Sequence, residues 1–194
     1  MGVPGDIVAL ALDQSPTATG WAVGRPLGPK PVFGTYRLPA WRDDEGARLA
    51  SFERWLTDLA REYRVTNVYY EAPFLPRHSN ADAIKPQLFL IGLINLVAAK
   101  LKLDVAEVPI DAWRKWAFGY CRIPALKGDA ARKEWKRLAK VRCLKNNLLV
   151  EDDNAAEAAL ILDYGLSDAD SSHRRNANIR HRRAELEHWM GDRR

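Results

Sequence analysis

The 194-residue chain reads as a mixed α/β domain, a five-stranded sheet flanked by helices. Three features point to it. Short apolar runs bounded by turn residues fill the first forty positions, and apolar residues recur at helical spacing over residues 43–64. Beyond that, strand-like and helix-like segments alternate, so the order reads β-β-β-α-β-α-β-α.

Ile7–Leu12 forms the first strand, and the turn-rich stretch Asp13-Gln-Ser-Pro-Thr-Ala-Thr-Gly20 separates it from a second at Trp21–Val23. After the Pro/Gly-rich loop Arg25–Pro31, Val32–Leu38 is a third strand. Asp43–Arg64 places Leu49, Phe52, Leu56, Leu59 and Tyr63 on one helical face. Thr66–Tyr70 is the fourth strand and ends at Glu71. Ala81–Lys102 is apolar on nearly all sides, as expected of a helix buried against a sheet and against a partner subunit. Val105–Ile110 supplies the fifth strand. Ala112–Ala117 and Ala130–Leu144 read as basic helices around the loop Gly119–Gly128, and Asp152–Leu162 as an alanine-rich helix. The expected domain covers residues 1–165. Residues 166–194 form a polar, arginine-rich extension with helical character over Ile179–Met190.

Composition excludes several classes. With 47% hydrophobic residues and seven Trp, the chain has enough apolar surface for a core, and wholesale disorder is excluded. The longest apolar run, Leu88 to Ala99, has twelve residues and contains Asn95, short of the roughly 20 that a spanning helix needs. Asp6 stands where a signal peptide would carry basic residues, and a cytoplasmic protein is expected, in the host cytoplasm if phage-encoded. Cys121 and Cys143 with His78, His173, His181 and His188 show no zinc-ligand spacing, so two free thiols are expected.

The net charge of +5 is unevenly distributed. Residues 112–147 hold eleven Lys/Arg against two acids, a net of +9, and residues 173–194 carry +4. The remainder carries −8. One surface suited to a polyanion thus adjoins a region rich in carboxylates.

Those carboxylates occupy distinctive positions. Asp13 follows the first strand, Glu71 ends the fourth, and Glu151-Asp152-Asp153-Asn154-Ala-Ala-Glu157 opens the last helix. Acids at strand carboxyl ends project into the crevice where open α/β sheets bind ligands, and Asp13 and Glu71 converge if their strands are neighbours. Asp153 and Glu157 share a helical face. Clustered acids call for a cation, and an oxygen-only donor set suits Mg²⁺ or Mn²⁺. Taken singly, each acid also has an ordinary reading: Asp13 as a turn residue, Glu71 as a solvated strand end, Asp152 and Asp153 as helix cap and first turn.

In combination, the chain resembles the RuvC-like Holliday junction resolvases of the RNase H-like superfamily. The similarity runs from about residue 7 to 165. Ala-Leu-Asp13-Gln-Ser-Pro-Thr-Ala-Thr-Gly20-Trp-Ala-Val looks like the family's first motif and Tyr-Tyr-Glu71-Ala-Pro-Phe74-Leu like its second. Asn80-Ala-Asp-Ala leads into the long apolar helix. Val-Pro109, Gly119 and the Lys-Gly-Asp-Ala-Ala-Arg-Lys133 stretch continue the match, and Asp153-Asn-Ala-Ala-Glu157-Ala-Ala-Leu closes it.

The resemblance implies an RNase H-like fold in which Asp13, Glu71, an acid in the 152–154 region and Glu157 bind two Mg²⁺ ions, with Mn²⁺ as a substitute. It further implies a homodimer that cuts opposed strands of a four-way DNA junction, leaving 5′-phosphate and 3′-hydroxyl ends. Phe74 matches an aromatic that wedges into the junction, or alternatively belongs to the core. The chain departs from the family in carrying Glu157 where Asp is usual, and Asn154 three residues earlier, which leaves Asp153 as the expected partner and Asp152 in reserve. Arg114, Lys115, Lys127, Arg132, Lys133, Lys136, Arg137 and Lys140 are expected to contact phosphates, with a solvated surface as the other reading. The arginine-rich tail either grips DNA arms or serves as a solubilising extension. Compactness suggests a phage or plasmid enzyme acting on junctions and also on flaps and forks.

Two other functions fit parts of the sequence. A junction-binding protein that does not cut would keep the fold while losing the metal site. An actin-like ATPase would also open with an Asp on a hairpin, but it requires a glycine where Ser15 stands.

Overall fold

The computed structural model describes residues 7–39, 44–73 and 81–167, with 81–83 described through their backbone. Phe74, the arginine-rich tail 173–194 and its expected helical segment 179–190 lie outside the described residues.

Alternation within the first strand sets the two sides of the molecule. β1 (Ala9–Gln14) alternates Ala9, Ala11 and Asp13 with Leu10, Leu12 and Gln14, and all six are buried. Because successive side chains point to opposite faces, the leucines take one face and the alanines share the other with Asp13. β2 (Ala18–Gly24) and β3 (Val32–Arg37) extend the sheet antiparallel on one side of β1. β4 (Asn67–Glu71) and β5 (Asp104–Val108) extend it parallel on the other, in the order β3-β2-β1-β4-β5. The expected mixed five-stranded sheet is therefore present, with β1 at its centre. A central strand covered by helices on both faces has no polar side, which is why Ala-Leu-Ala-Leu reads as one apolar run.

The steps from β3 to β4 and from β4 to β5 join parallel strands and run the same way across the sheet, so right-handed crossovers put both connecting helices on one face. α1 (Glu45–Glu62) and α2 (Ala81–Leu101) both lie there. Phe52, Leu56 and Leu59 of α1 and Leu90, Ile94 and Val97 of α2 share a core with Leu10, Leu12, Val68 and Tyr70. α1 begins where Asp44 accepts a hydrogen bond from the Gly46 N–H at 2.8 Å. α2 corrects one expectation. Its stretch Ile84–Leu101, 18 residues of mean hydropathy 1.5, is long and apolar enough to cross a membrane by length and composition, although its inner side packs as a core helix.

The alanine face carries α3 (Ile110–Phe118), α4 (Gly128–Lys145) and α5 (residues 153–167). Ala9, Ala11, Ala22 and Tyr69 of the sheet pack there with Trp113, Ala139, Cys143, Ala156, Ala159 and Leu160. α5 starts at Asp152, whose Oδ1 accepts from the Ala155 N–H at 2.9 Å and from the Thr35 hydroxyl at 2.7 Å. Small residues on both partners bring α5 against the sheet. A Cβ added at Gly20 would lie 2.0 Å from the Asn154 carbonyl oxygen, and one at Gly165 would lie 2.5 Å from the Tyr69 ring.

Most boundaries shift by one or two residues from the sequence reading, and three of the differences have a clear physical cause. β2 begins at Ala18 and not at Trp21, because Thr19 and Gly20 pair with Gln14 and Asp13. Asp13 is thus a ladder residue, and the turn is left to Ser15–Thr17, closed by the Ser15 N–H donating to the Ala18 carbonyl at 3.2 Å. α3 begins at Ile110, not Ala112, since Pro109 follows the last strand residue, lacks an N–H for the ladder and serves as the N-cap. α5 runs beyond Leu162 through residue 167, with Leu166 packed on the same core.

Gly20→Ala would force a methyl into the Asn154 backbone, where nothing flexible can yield. It is expected to destabilise the fold by about 1–3 kcal/mol or more, read as a lower denaturation midpoint. A midpoint equal to that of the parent would refute the close contact.

Candidate active site

Parity along the strands assembles the acids. Leu12 pairs with Tyr70 in the parallel ladder, so Asp13 and Glu71 are the next residues on neighbouring strands, both on the α5 side. Glu157 lies one turn into α5, just beyond the Gly20 contact that holds the helix start on β2, and is buried. Asp153, four residues earlier on the same helical face, is half-buried. Asp152 goes elsewhere: its carboxylate caps α5 and binds Thr35. Of the acids named from sequence, the structure therefore brings Asp13, Glu71, Glu157 and Asp153 together and leaves Asp152 at the helix cap.

Their proton affinities record the crowding. Burial, and then the charges of Glu157 and Glu71, push the Asp13 carboxyl well above its usual range. Glu157 rises to about 7 through burial and the charge of Glu71, partly offset by Arg114 and Lys136. Glu71 is also raised by burial, against the opposing hydrogen bond from Trp113 and charge of Arg114. For Asp153, burial is outweighed by the Lys136 ammonium, and its carboxyl sits below the usual range.

Two cations expected on the DNA-facing surface are instead turned into this cluster. The Arg114 Nη2 lies 3.9 Å from Glu157 Oε1, and the side chain is only 15% exposed. Its guanidinium sits over Trp135, 4.6 Å from the ring centroid, and over Trp113 at 5.3 Å. Lys136 pairs with Asp153. Lys133 pairs with Asp129 at 3.0 Å and Arg137 with Glu134 at 2.7 Å, both on α4. Among the described residues, Lys115, Lys127, Arg132 and Lys140 form no ion pair. They remain available for phosphate.

Sequence reasoning missed two contacts on Glu71. The Trp113 indole donates to Glu71 Oε1 at 2.8 Å, and the Gln14 amide donates to the Glu71 carbonyl at 2.5 Å. A signal was present, since a buried indole N–H needs an acceptor and Trp113 follows a strand end by five residues.

The donors are all hard oxygens, which fits Mg²⁺ or Mn²⁺. Among the described residues, no three acidic, histidine or cysteine side chains form a ready-made metal cage.

No protein-family model and no curated protein matches the chain. Solved structures do. Thermus thermophilus RuvC in complex with a Holliday junction substrate superposes with a TM-score of 0.63 at 13% identity, covering 85% of this chain and 96% of that one. T. thermophilus RuvC in a second structure gives 0.62 at 14%, covering 86% and 97%. The yeast mitochondrial Holliday junction resolvase Ydc2 gives 0.58 at 13%, covering 93% and 86%. The chain thus shares the fold of these solved structures, a mixed five-stranded α/β sheet flanked by helices.

A carboxyl whose pKa is raised in the fold holds its proton more tightly folded than unfolded, so its ionisation opposes folding. For Glu157 this stabilising contribution is present below the ordinary value of 4.5 and is lost as pH climbs through about 7. In metal-chelating buffer the thermal midpoint should fall between pH 5 and 8, and Glu157→Gln should flatten that fall. A midpoint rising over the same range in the parent would refute the burial of ionisable acids at this site.

Proposed function

We propose that the protein is a metal-dependent, structure-selective endonuclease that hydrolyses phosphodiesters in four-way DNA junctions and other branched DNA such as flaps and forks, leaving 5′-phosphate and 3′-hydroxyl ends. The observation that carries this reading is the convergence of Asp13, Glu71 and Glu157, with Asp153 beside them, at the carboxyl ends of β1 and β4. The RuvC-like fold supports it, as does a neighbour of that fold solved with a Holliday junction.

In this reading Asp13, Glu71, Asp153 and Glu157 hold two divalent ions, Mg²⁺ or Mn²⁺, with Asp152 confined to capping. When bound, the ions supply Lewis-acid stabilisation of phosphate charge and activation of a water nucleophile. The chain's own groups do the rest. Burial keeps bulk water from screening the cluster, so each charge acts strongly on its neighbours. Arg114, clamped by Trp135, and Lys136 present fixed positive charge at the edge of the acids, where a phosphate oxygen enters. Lys115, Lys127, Arg132, Lys133 and Lys140 bind the flanking backbone, recognising shape more than sequence. Asp13→Asn should reduce cutting of a synthetic junction in Mg²⁺ by at least about a hundredfold while leaving junction binding intact. Undiminished cleavage would overturn the assignment.

A second reading is favoured by one observation: Arg114 and Lys136 already neutralise Glu157 and Asp153. A junction-binding protein that does not cut would then show salt-sensitive binding with no nicking in Mg²⁺ or Mn²⁺.

Cutting opposed strands requires two sites, and we propose a homodimer joined through the outer side of α2. Leu88 and Leu96 there are 45% and 47% exposed, and a Cβ at Gly92 would meet nothing within 4 Å, so Leu88, Gly92 and Leu96 form a stripe at i, i+4 and i+8. Leu88→Glu with Leu96→Glu should yield a folded monomer by sedimentation. A dimer that survives both changes would place the interface elsewhere.

A further inference from the structure

Glu71 ends β4, where ladder pairing stops and a side chain would ordinarily be free to choose rotamers. One contact removes that freedom, and another holds the backbone beneath it. Gln14, buried on β1, holds the Glu71 carbonyl through its amide, and the Trp113 indole holds Oε1 at 2.8 Å. Trp113 reaches Glu71 because β5 passes into α3 without a loop. Val108 pairs with Glu71, the Ala72 N–H donates to the Val108 carbonyl at 2.8 Å, and Pro109 turns the chain so that the first turn of α3 lies beside the end of β4. The ring itself is fully buried, packed on Phe118 and capped by the Arg114 guanidinium. A rigid ring with one polar edge, aimed at one carboxylate oxygen, fixes the plane of the carboxylate and leaves Oε2 outside that bond.

We infer that Trp113 is a positioning residue that orients Glu71 through its indole N–H and so sets the geometry in which that carboxylate takes a divalent cation. This rests on the nuclease reading for its biological use, while the indole–carboxylate contact itself does not. Hydrogen bonds to metal-binding side chains from outside the coordination sphere are worth about 10–100-fold in metal affinity.

The test uses the full chain and Mn²⁺ alone, followed by electron paramagnetic resonance. Trp113→Phe keeps a buried aromatic ring and removes the N–H. It is expected to weaken Mn²⁺ binding by about tenfold or more, and to have no further effect in a Glu71→Gln background, where the carboxylate ligand is already gone. Unchanged affinity in Trp113→Phe, or an equal loss with and without Glu71, would overturn the inference, the latter because it shows a packing effect. If Trp113→Phe does not fold, the indole N–H resonance of metal-free parent and Glu71→Gln decides: a shift supports the contact and no shift overturns it. A parent that binds Mn²⁺ with this coupling yet cuts no branched DNA would sink the nuclease reading and leave the role of Trp113 standing.

Discussion

The backbone of α5 lies directly against β2, and everything at the site depends on that approach. At Gly20 no side chain intervenes, since a Cβ would overlap the Asn154 carbonyl. The same glycine pairs with Asp13 across the β1–β2 ladder. One contact therefore fixes the height of the helix above the strand that carries the first acid, and Glu157, one turn along, arrives over the same face. Alanines at 9, 11 and 22 of the sheet and at 155, 156, 158 and 159 of α5 continue the low relief, and Gly165 against Tyr69 closes it at the far end.

Such a seam carries an electrostatic cost. Crowding the buried Asp13 and Glu157 with the half-buried Glu71 raises all three proton affinities. The fold answers from the α3–α4 side, with Arg114 facing Glu157 and Lys136 facing Asp153. Arg114 loses some of its own basicity to burial, against the opposing charges of Glu71 and Glu157, and its guanidinium rests on two tryptophan faces. The leucine face carries none of this chemistry. It is an ordinary core between the sheet and α1 and α2.

Much of this was legible in the chain. Strand order along the sequence, the alternation of Ala and Leu in β1, the helical spacing of Phe52, Leu56 and Leu59, and the acids at the ends of β1 and β4 are all local patterns. Boundaries were less so. The Thr19–Gly20 pair looked like turn because its partners are five and seven residues back across a hairpin, and Ile110 looked like strand because its apolar character does not reveal that Pro109 ends the ladder. Among the basic residues, Arg114 and Lys136 read as surface charges from composition, since charge counts carry no direction.

By itself the sequence determined what is periodic or covalent: which residues share a strand face, and that Asp13 and Glu71 point the same way if their strands meet. The tertiary structure decided the rest, because it depends on how separate elements rotate and approach. It made β1 and β4 neighbours and turned α5 so that Asp153 and Glu157 face the sheet while Asp152 caps the helix. It also aimed Trp113 and Arg114, adjacent on α3, at two different carboxylates.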